Sequence, residues 1–315
     1  MSSTLLPAEH EALTRGAGLL DRSERGKLAL TGGERKAFLQ GQVTNDVEAL
    51  EPGHGCYAAF LTHKGKILGD LRVLDAGDEL LLDCERSALQ ELFNLLRRTK
   101  LGRDAELHKR TLERSLFSLI GPEARRVADA AGLGETEHDH LAAELGGEAV
   151  RLIATDAGGV DVECQSGPAA DAARATLLHR GAVAVDEPAA EVVRVERGRP
   201  RYGAELDDSV IPQEAGLNPR AVSFTKGCYV GQETVARLHY RGKPNRHLRG
   251  LRLSGPAEPG TELRLGEKVV GRLATVVDSP THGPIALALV RREAEPGASV
   301  VVGADVTGVV VTLPF

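Results

Sequence analysis

Lys226-Gly227-Cys228-Tyr229-Val230-Gly231-Gln232-Glu233 is the stretch on which the reading of this chain turns. Gly227 and Gly231 flank a cysteine, and glycine lets a backbone take positive φ or come close to another surface. A lysine two residues ahead of the thiol would favour the thiolate, the reactive form, and the amide of Gln232 and the carboxylate of Glu233 follow. Two readings fit these residues. One is a reactive thiol presented on a turn; the other is a small buried cysteine in a Gly-marked bend, since free cysteine is among the most buried residue types.

Further blocks flank the octapeptide on the N-terminal side: Gly41-Gln42-Val43-Thr44-Asn45-Asp46-Val47, Lys64-Gly65-Lys66-Ile67-Leu68-Gly69-Asp70, Arg194-Val195-Glu196-Arg197-Gly198 with Tyr202-Gly203, and Pro212-Gln213-Glu214-Ala215-Gly216-Leu217. Val235-Ala236-Arg237 follows it. Together, and in this order, they resemble the YgfZ family, folate-binding proteins related in fold to the aminomethyltransferase (T-protein) of the glycine cleavage system. The resemblance spans most of the chain, and the cysteine octapeptide is its most specific part.

Composition bounds the same reading. A chain of 315 residues exceeds the usual single-core size, so two or three domains are expected. Hydrophobic residues make up 42% and charged residues 27%, as in an ordinary globular protein. The four cysteines, Cys56, Cys84, Cys164 and Cys228, form no Cys-x-x-Cys pair, which argues against a zinc knuckle or a local iron–sulfur ligand set, so no metal site is expected. Residues 1–18 lack a long apolar core, so neither a signal peptide nor a membrane span is expected, and reduced cysteines fit a cytoplasmic protein. With a net charge of −6, 3% aromatic residues and no Trp, direct nucleic-acid binding is disfavoured. One basic run, Arg237-Leu-His-Tyr-Arg-Gly-Lys-Pro-Asn-Arg-His-Leu-Arg249, stands against that background and reads as a solvated linker in preference to an RNA contact.

Periodicity predicts strands at 26–31, 57–61, 67–74, 79–84, 114–120, 150–154 and 160–164. Helices are expected at 33–40, 86–96, 122–131, 169–180, 188–198 and 230–239; within 86–96, Leu89, Leu92, Phe93 and Leu96 form one stripe. From His247 onward short apolar runs punctuated by Gly and Pro point to a small antiparallel barrel, with a helical period only near 288–291. Arg241-Gly-Lys-Pro-Asn245 is the natural boundary. The resemblance implies the same α+β fold: an aminomethyltransferase-like folate-binding body of two interleaved lobes over 1–245, then a C-terminal antiparallel β-barrel over 246–315.

A pterin ring offers adjacent N–H donors that one carboxylate accepts in paired, charge-assisted bonds. The resemblance gives that role to Glu196, with Asn45, Asp70 and Tyr202 as pocket neighbours; without it, the residues alone favour a helix-surface carboxylate pairing with Arg197 or Arg199. The cofactor implied is tetrahydrofolate or another reduced folate. The sequence also departs from the related aminomethyltransferases. They carry two consecutive carboxylates where this chain reads Gly69-Asp70, an aspartate there helping to steer the aminomethyl amine and folate N5, and they use no cysteine at the position of Cys228.

The resemblance therefore implies a monomeric folate-binding protein that supports assembly or repair of iron–sulfur clusters in client enzymes. Its partners would be iron–sulfur assembly proteins or those clients, and its effect on tRNA modification would be indirect. Cys228 is the expected functional thiol and Lys226 the residue that tunes it. Gly227, Tyr229, Gly231, Gln232 and Glu233 complete the turn, Gln232 and Glu233 being equally suited to capping a following helix. The alternatives are a glycine-cleavage aminomethyltransferase, which the lost carboxylate disfavours, and a direct RNA-binding module.

Overall fold

The computed structural model describes residues 5–315. The chain divides into two compact units, one formed by Met1–Leu61, Leu68–Ala190 and Arg220–Val230, the other by Thr62–Ile67, Glu191–Pro219 and Gly231–Phe315.

The first unit begins with α1 (Leu5–Arg15), β1 (Gly18–Asp21) and β2 (Gly26–Thr31). Short α2 (Arg35–Gln40) turns Phe38 and Leu39 inward, and a loop leads to β3 (Gly55–Leu61), β4 (Ile67–Asp75) and β5 (Leu80–Cys84). Helix α3 (Arg86–Thr99) buries Leu89, Leu92 and Leu96 of the stripe its three-and-four spacing predicts, while Phe93 is only half-buried. Next come β6 (Glu106–Lys109), β7 (Arg114–Ile120), α4 (Ala124–Ala128), β8 (His140–Leu145), β9 (Glu148–Ala154), β10 (Val160–Gln165), α5 (Pro168–His179) and β11 (Val183–Ala184). They form two sheets, of order β3-β4-β5-β2-β6 and β11-β1-β7-β10-β9-β8.

Buried charges tie the sheets together. Arg72 on β4 reaches Asp161 on β10 at 2.6 Å and also pairs with Asp83 on β5, which Arg25 holds at 2.7 Å. Burial alone would raise Asp83, yet Arg72 and Arg25 hold it well below the usual carboxylate range. Ser118 closes the set by donating to Asp161 at 2.6 Å.

α6 (Glu187–Glu196) and α7 (Asn218–Ala221) precede α8 (Gln232–Arg241), which belongs to the second unit. Six strands then close an antiparallel barrel: β12 (Arg246–Leu253), β13 (Glu262–Leu265), β14 (Lys268–Ser279), β15 (Gly283–Arg291), β16 (Ser299–Val302) and β17 (Val306–Val311), in the order β12-β15-β14-β13-β16-β17. Leu251, Leu263, Val270, Leu273, Ala286, Ala288 and Val310 fill it. The helical period expected near 288–291 is corrected here. Those residues lie in β15, a strand paired on both edges, where Ile285 to Ala288 are all buried. A doubly covered strand reads as a continuous apolar run and loses the period of two.

Candidate functional site

Residues 222–231 run without regular structure between α7 and α8. Lys226 is buried, and its Nζ donates to the carbonyl oxygens of Gln40 at 2.5 Å, Val43 at 2.7 Å and Asn45 at 2.9 Å. An ammonium has three donors, so all of them are spent on one loop. Burial pushes Lys226 down to about 8, against the pull of Asp46, Cys56 and Glu48. The Tyr229 ring is also buried, its centroid 5.0 Å from that ammonium. Cys228, between these two anchors, is exposed.

The loop that Lys226 grips is itself braced. Thr44 Oγ1 donates to the Ala221 carbonyl at 2.5 Å and accepts from the Ala59 amide at 2.9 Å. Asn45 Nδ2 donates to the carbonyls of Tyr57 at 2.9 Å and Arg220 at 3.0 Å, while its Oδ1 accepts from the Asp46 amide. The side chain of Asn45 thus holds the strand β3 and the 220–226 segment to one loop.

On β4, Asp70 is buried and accepts a hydrogen bond from the Tyr57 hydroxyl. Burial raises Asp70, opposed by that hydrogen bond and by Arg25; burial and Asp70 hold the Tyr57 phenol well above its ordinary value. The Arg220 guanidinium lies 5.0 Å from the centre of the Tyr57 ring and is clamped by both oxygens of Glu137, at 2.5 and 3.3 Å. Position 69 faces the other way. A Cβ there would stand 3.0 Å from the methyl groups of Leu92 on α3. The carboxylate this chain lacks would therefore press on an aliphatic side chain, and the one it keeps, Asp70, is the one beside a phenol.

In the second unit Glu196 ends α6, half-buried, and accepts a 2.5 Å hydrogen bond from Ser279 on β14; its carbonyl receives the Phe315 amide at 3.0 Å. Tyr202, half-buried, makes an isolated parallel bridge with Leu206. Two amide oxygens of this unit, Gln213 Oε1 and Asn218 Oδ1, are buried with no hydrogen-bond partner among the described residues. Gln232 and Glu233 form the first turn of α8, whose N-cap is Gly231 at φ 84°. That left-handed backbone is the reason for glycine there.

The first unit thus brings together Lys226, Asn45, Tyr229 and the presented Cys228, and sets Asp70 beside Tyr57. Glu196, Tyr202, Gln232 and Glu233 belong to the second unit. Sequence reading missed Tyr57, Glu137, Arg220 and Ser279. Tyr57 stands thirteen residues before Asp70 on a neighbouring strand, a pairing visible only once the register of β3 and β4 is known. No local signal marks Glu137 or Ser279.

Comparison with known proteins gives the class. Residues 2–226 match the GCVT N-terminal domain family. An aminomethyltransferase of Rubrobacter xylanophilus is 32% identical over 98% of this chain and 86% of its own length. A chloroplastic protein of Arabidopsis thaliana that carries a provisional transferase name is 28% identical over 97% of this chain and 72% of its own. The crystal structure of the glycine cleavage system aminomethyltransferase T of Bartonella henselae has the same fold, with a TM-score of 0.86 at 23% identity, covering 98% of this chain and 89% of that one. The chain belongs to the GCVT family, with an aminomethyltransferase-like fold closed by a C-terminal barrel.

Members of this family use tetrahydrofolate, and the residues present suit such a group. A reduced pterin offers several N–H donors and needs acceptors. The second unit supplies a carboxylate at Glu196 and the two unpartnered amide oxygens of Gln213 and Asn218. Among the described residues no helix is long and apolar enough to cross a membrane.

Proposed function

We propose that this chain is a folate-binding member of the family whose own chemistry resides in Cys228, and that it acts as YgfZ-type proteins do, supporting iron–sulfur clusters in client enzymes with an indirect effect on tRNA modification. The observation that carries this reading is the build of the octapeptide. Lys226 and Tyr229 are buried anchors, and Cys228 between them faces solvent. A turn pinned from both sides to present one thiol suits attack on, or capture of, an external group. Burial pushes the other three thiols up, Cys56 and Cys84 to about 12 and Cys164 to about 11, which leaves them inert at neutral pH.

A second reading, tetrahydrofolate-dependent aminomethyl transfer, is favoured by Asp70, retained beside Tyr57, and by the names of the relatives. One experiment divides them. Cys228→Ala should leave the melting temperature within a few degrees, since an exposed substitution costs only about 0.5 kcal/mol, and should fail to restore iron–sulfur enzyme activity in cells lacking the protein. Wild type and variant should both lack aminomethyl transfer from lipoylated carrier protein. Full complementation by Cys228→Ala, with turnover of the carrier, establishes the second reading.

Tetrahydrofolate, a one-carbon carrier, would be held in the second unit by Glu196 at the pterin N–H edge, with Tyr202 contributing to its site. Losing a charge-assisted pair costs about 2 kcal/mol, so Glu196→Ala should weaken reduced-folate binding roughly 30-fold. Calorimetry showing unchanged affinity in a folded variant removes Glu196 from the site.

A further inference from the structure

The basic run from Arg237 to Arg249 does not fold as a solvated linker. Its first half is the C-terminal part of α8 and its last residues open β12, all within the second unit. Arg246 is consumed structurally, with Nε and Nη2 at 3.1 and 2.9 Å from the Glu214 carboxylate. Arg237, Arg241 and Lys243 differ: each is exposed and makes no hydrogen bond or ion pair through its side chain with any described residue. Arg249 is half-buried and pairs with no carboxylate among the described residues; its guanidinium meets only the neighbouring Leu248 carbonyl, at 3.2 Å.

Beside these cations α8 borders an apolar cavity of about 560 Å³, lined by Ile211, Ala236, Leu238 and Tyr240, with Arg237 and Arg241 also in its wall. No carboxylate is among its lining residues. Tyr240, 67% exposed, adds an aromatic ring to the apolar wall of this groove. On a chain of net charge −6, an apolar groove with two unpaired arginines and no carboxylate in its wall is a local inversion of the surface.

We propose that this face of α8 docks an acidic segment of a partner protein that inserts an apolar side chain into the groove. The two unpaired arginines, Arg237 and Arg241, supply the charge complementarity that steers and orients such a segment, and the groove supplies the anchor. Single-stranded nucleic acid fits less well. It needs successive aromatic platforms, and here one exposed tyrosine stacks edge-on against His239 at 4.9 Å. The inference does not depend on which reaction the chain supports, since carrier and client are both proteins.

The test uses the full chain and a fluorescein-labelled peptide of repeated Glu-Glu-Leu-Leu units, with Glu-Glu-Ser-Ser and Lys-Lys-Leu-Leu peptides and a single-stranded RNA of similar length in parallel. Anisotropy should show the Glu-Glu-Leu-Leu peptide bound at least about tenfold more tightly than either other peptide, with affinity falling as salt rises. Arg237→Glu combined with Arg241→Glu should weaken it about tenfold or more at unchanged melting temperature, both residues being exposed. Four results overturn the proposal: no binding of that peptide, equal binding of the serine peptide, no effect of the charge reversal, or tighter binding of the RNA. The last would make the face a nucleic-acid surface.

Discussion

Lys226→Met should destabilise the first unit by about 4 kcal/mol, far more than any change at the cysteine two residues on. The substitution removes three charge-assisted hydrogen bonds and leaves the carbonyls of Gln40, Val43 and Asn45 without that donor in a buried setting. Each such bond contributes about 1.5–3 kcal/mol, and a buried acceptor left unmade costs about 1–3 kcal/mol. Part of that loss is returned, because methionine has no charge to desolvate. A change of about 4 kcal/mol lowers the melting temperature by roughly 10 °C at this size. The measurement also decides what the lysine does. If it acts as a brace, the variant unfolds early while the native fraction still alkylates Cys228 at the wild-type rate at pH 7. If it acts as the thiol's tuning residue, alkylation slows severalfold and stability holds. The first outcome is the one expected, because all three donors of the ammonium are committed to the brace and none is left to hydrogen-bond the thiolate.

That contrast shows how far the sequence could be read. The strands expected at 114–120 and 67–74 and most of the stripe of α3 were legible, because burial on one face writes a period into local residues. The antiparallel barrel was legible from short runs broken by Gly and Pro. Helix α4 shrank to Ala124–Ala128 from an expected ten residues, since Asp129 leaves it in the left-handed region at φ 57°. Within the site, the octapeptide identified the exposed thiol, but the direction in which Lys226 points depends on a loop almost two hundred residues earlier in the chain. Gly69 is similar. As a sequence difference it resembled a lost functional group, whereas in the fold it is the residue that makes room for Leu92. Such contacts join distant segments, and no local period records them.

Acid should unfold the first unit in a window set by two buried histidines. Burial pushes His138 down to about 4, with Arg72 and Arg220 adding to the effect and Glu137 and Asp83 opposing it. Burial likewise pushes His140 down to about 4, helped by Arg151, whose Nη1 donates to His140 Nδ1 at 2.8 Å and so requires that nitrogen unprotonated. Neither nitrogen of His138, nor Nε2 of His140, has a hydrogen-bond partner among the described residues. A base whose folded pKa lies below its unfolded value, about 6.5 for histidine, takes up its proton mainly on unfolding. Its contribution is therefore complete above pH 6.5 and is lost as pH falls toward 4. For the two sites together the loss between pH 7.5 and 4.5 should be about 5 kcal/mol. Asp83 is held low by Arg72 and Arg25, so the stability it contributes is intact through most of that window and begins to be lost only at its acid end and below. Denaturant midpoints of the first unit, followed through exchange protection of the β9 amides, should fall steeply across pH 6.5 to 4.5. The double variant His138→Asn, His140→Asn should flatten the slope. Asparagine does not titrate, it tolerates the left-handed backbone of residue 138 at φ 78°, and its Oδ1 can accept from Arg151 as Nδ1 does. A slope unchanged in that variant would assign the acid lability to the carboxylates, and the imidazoles would then be silent in folding.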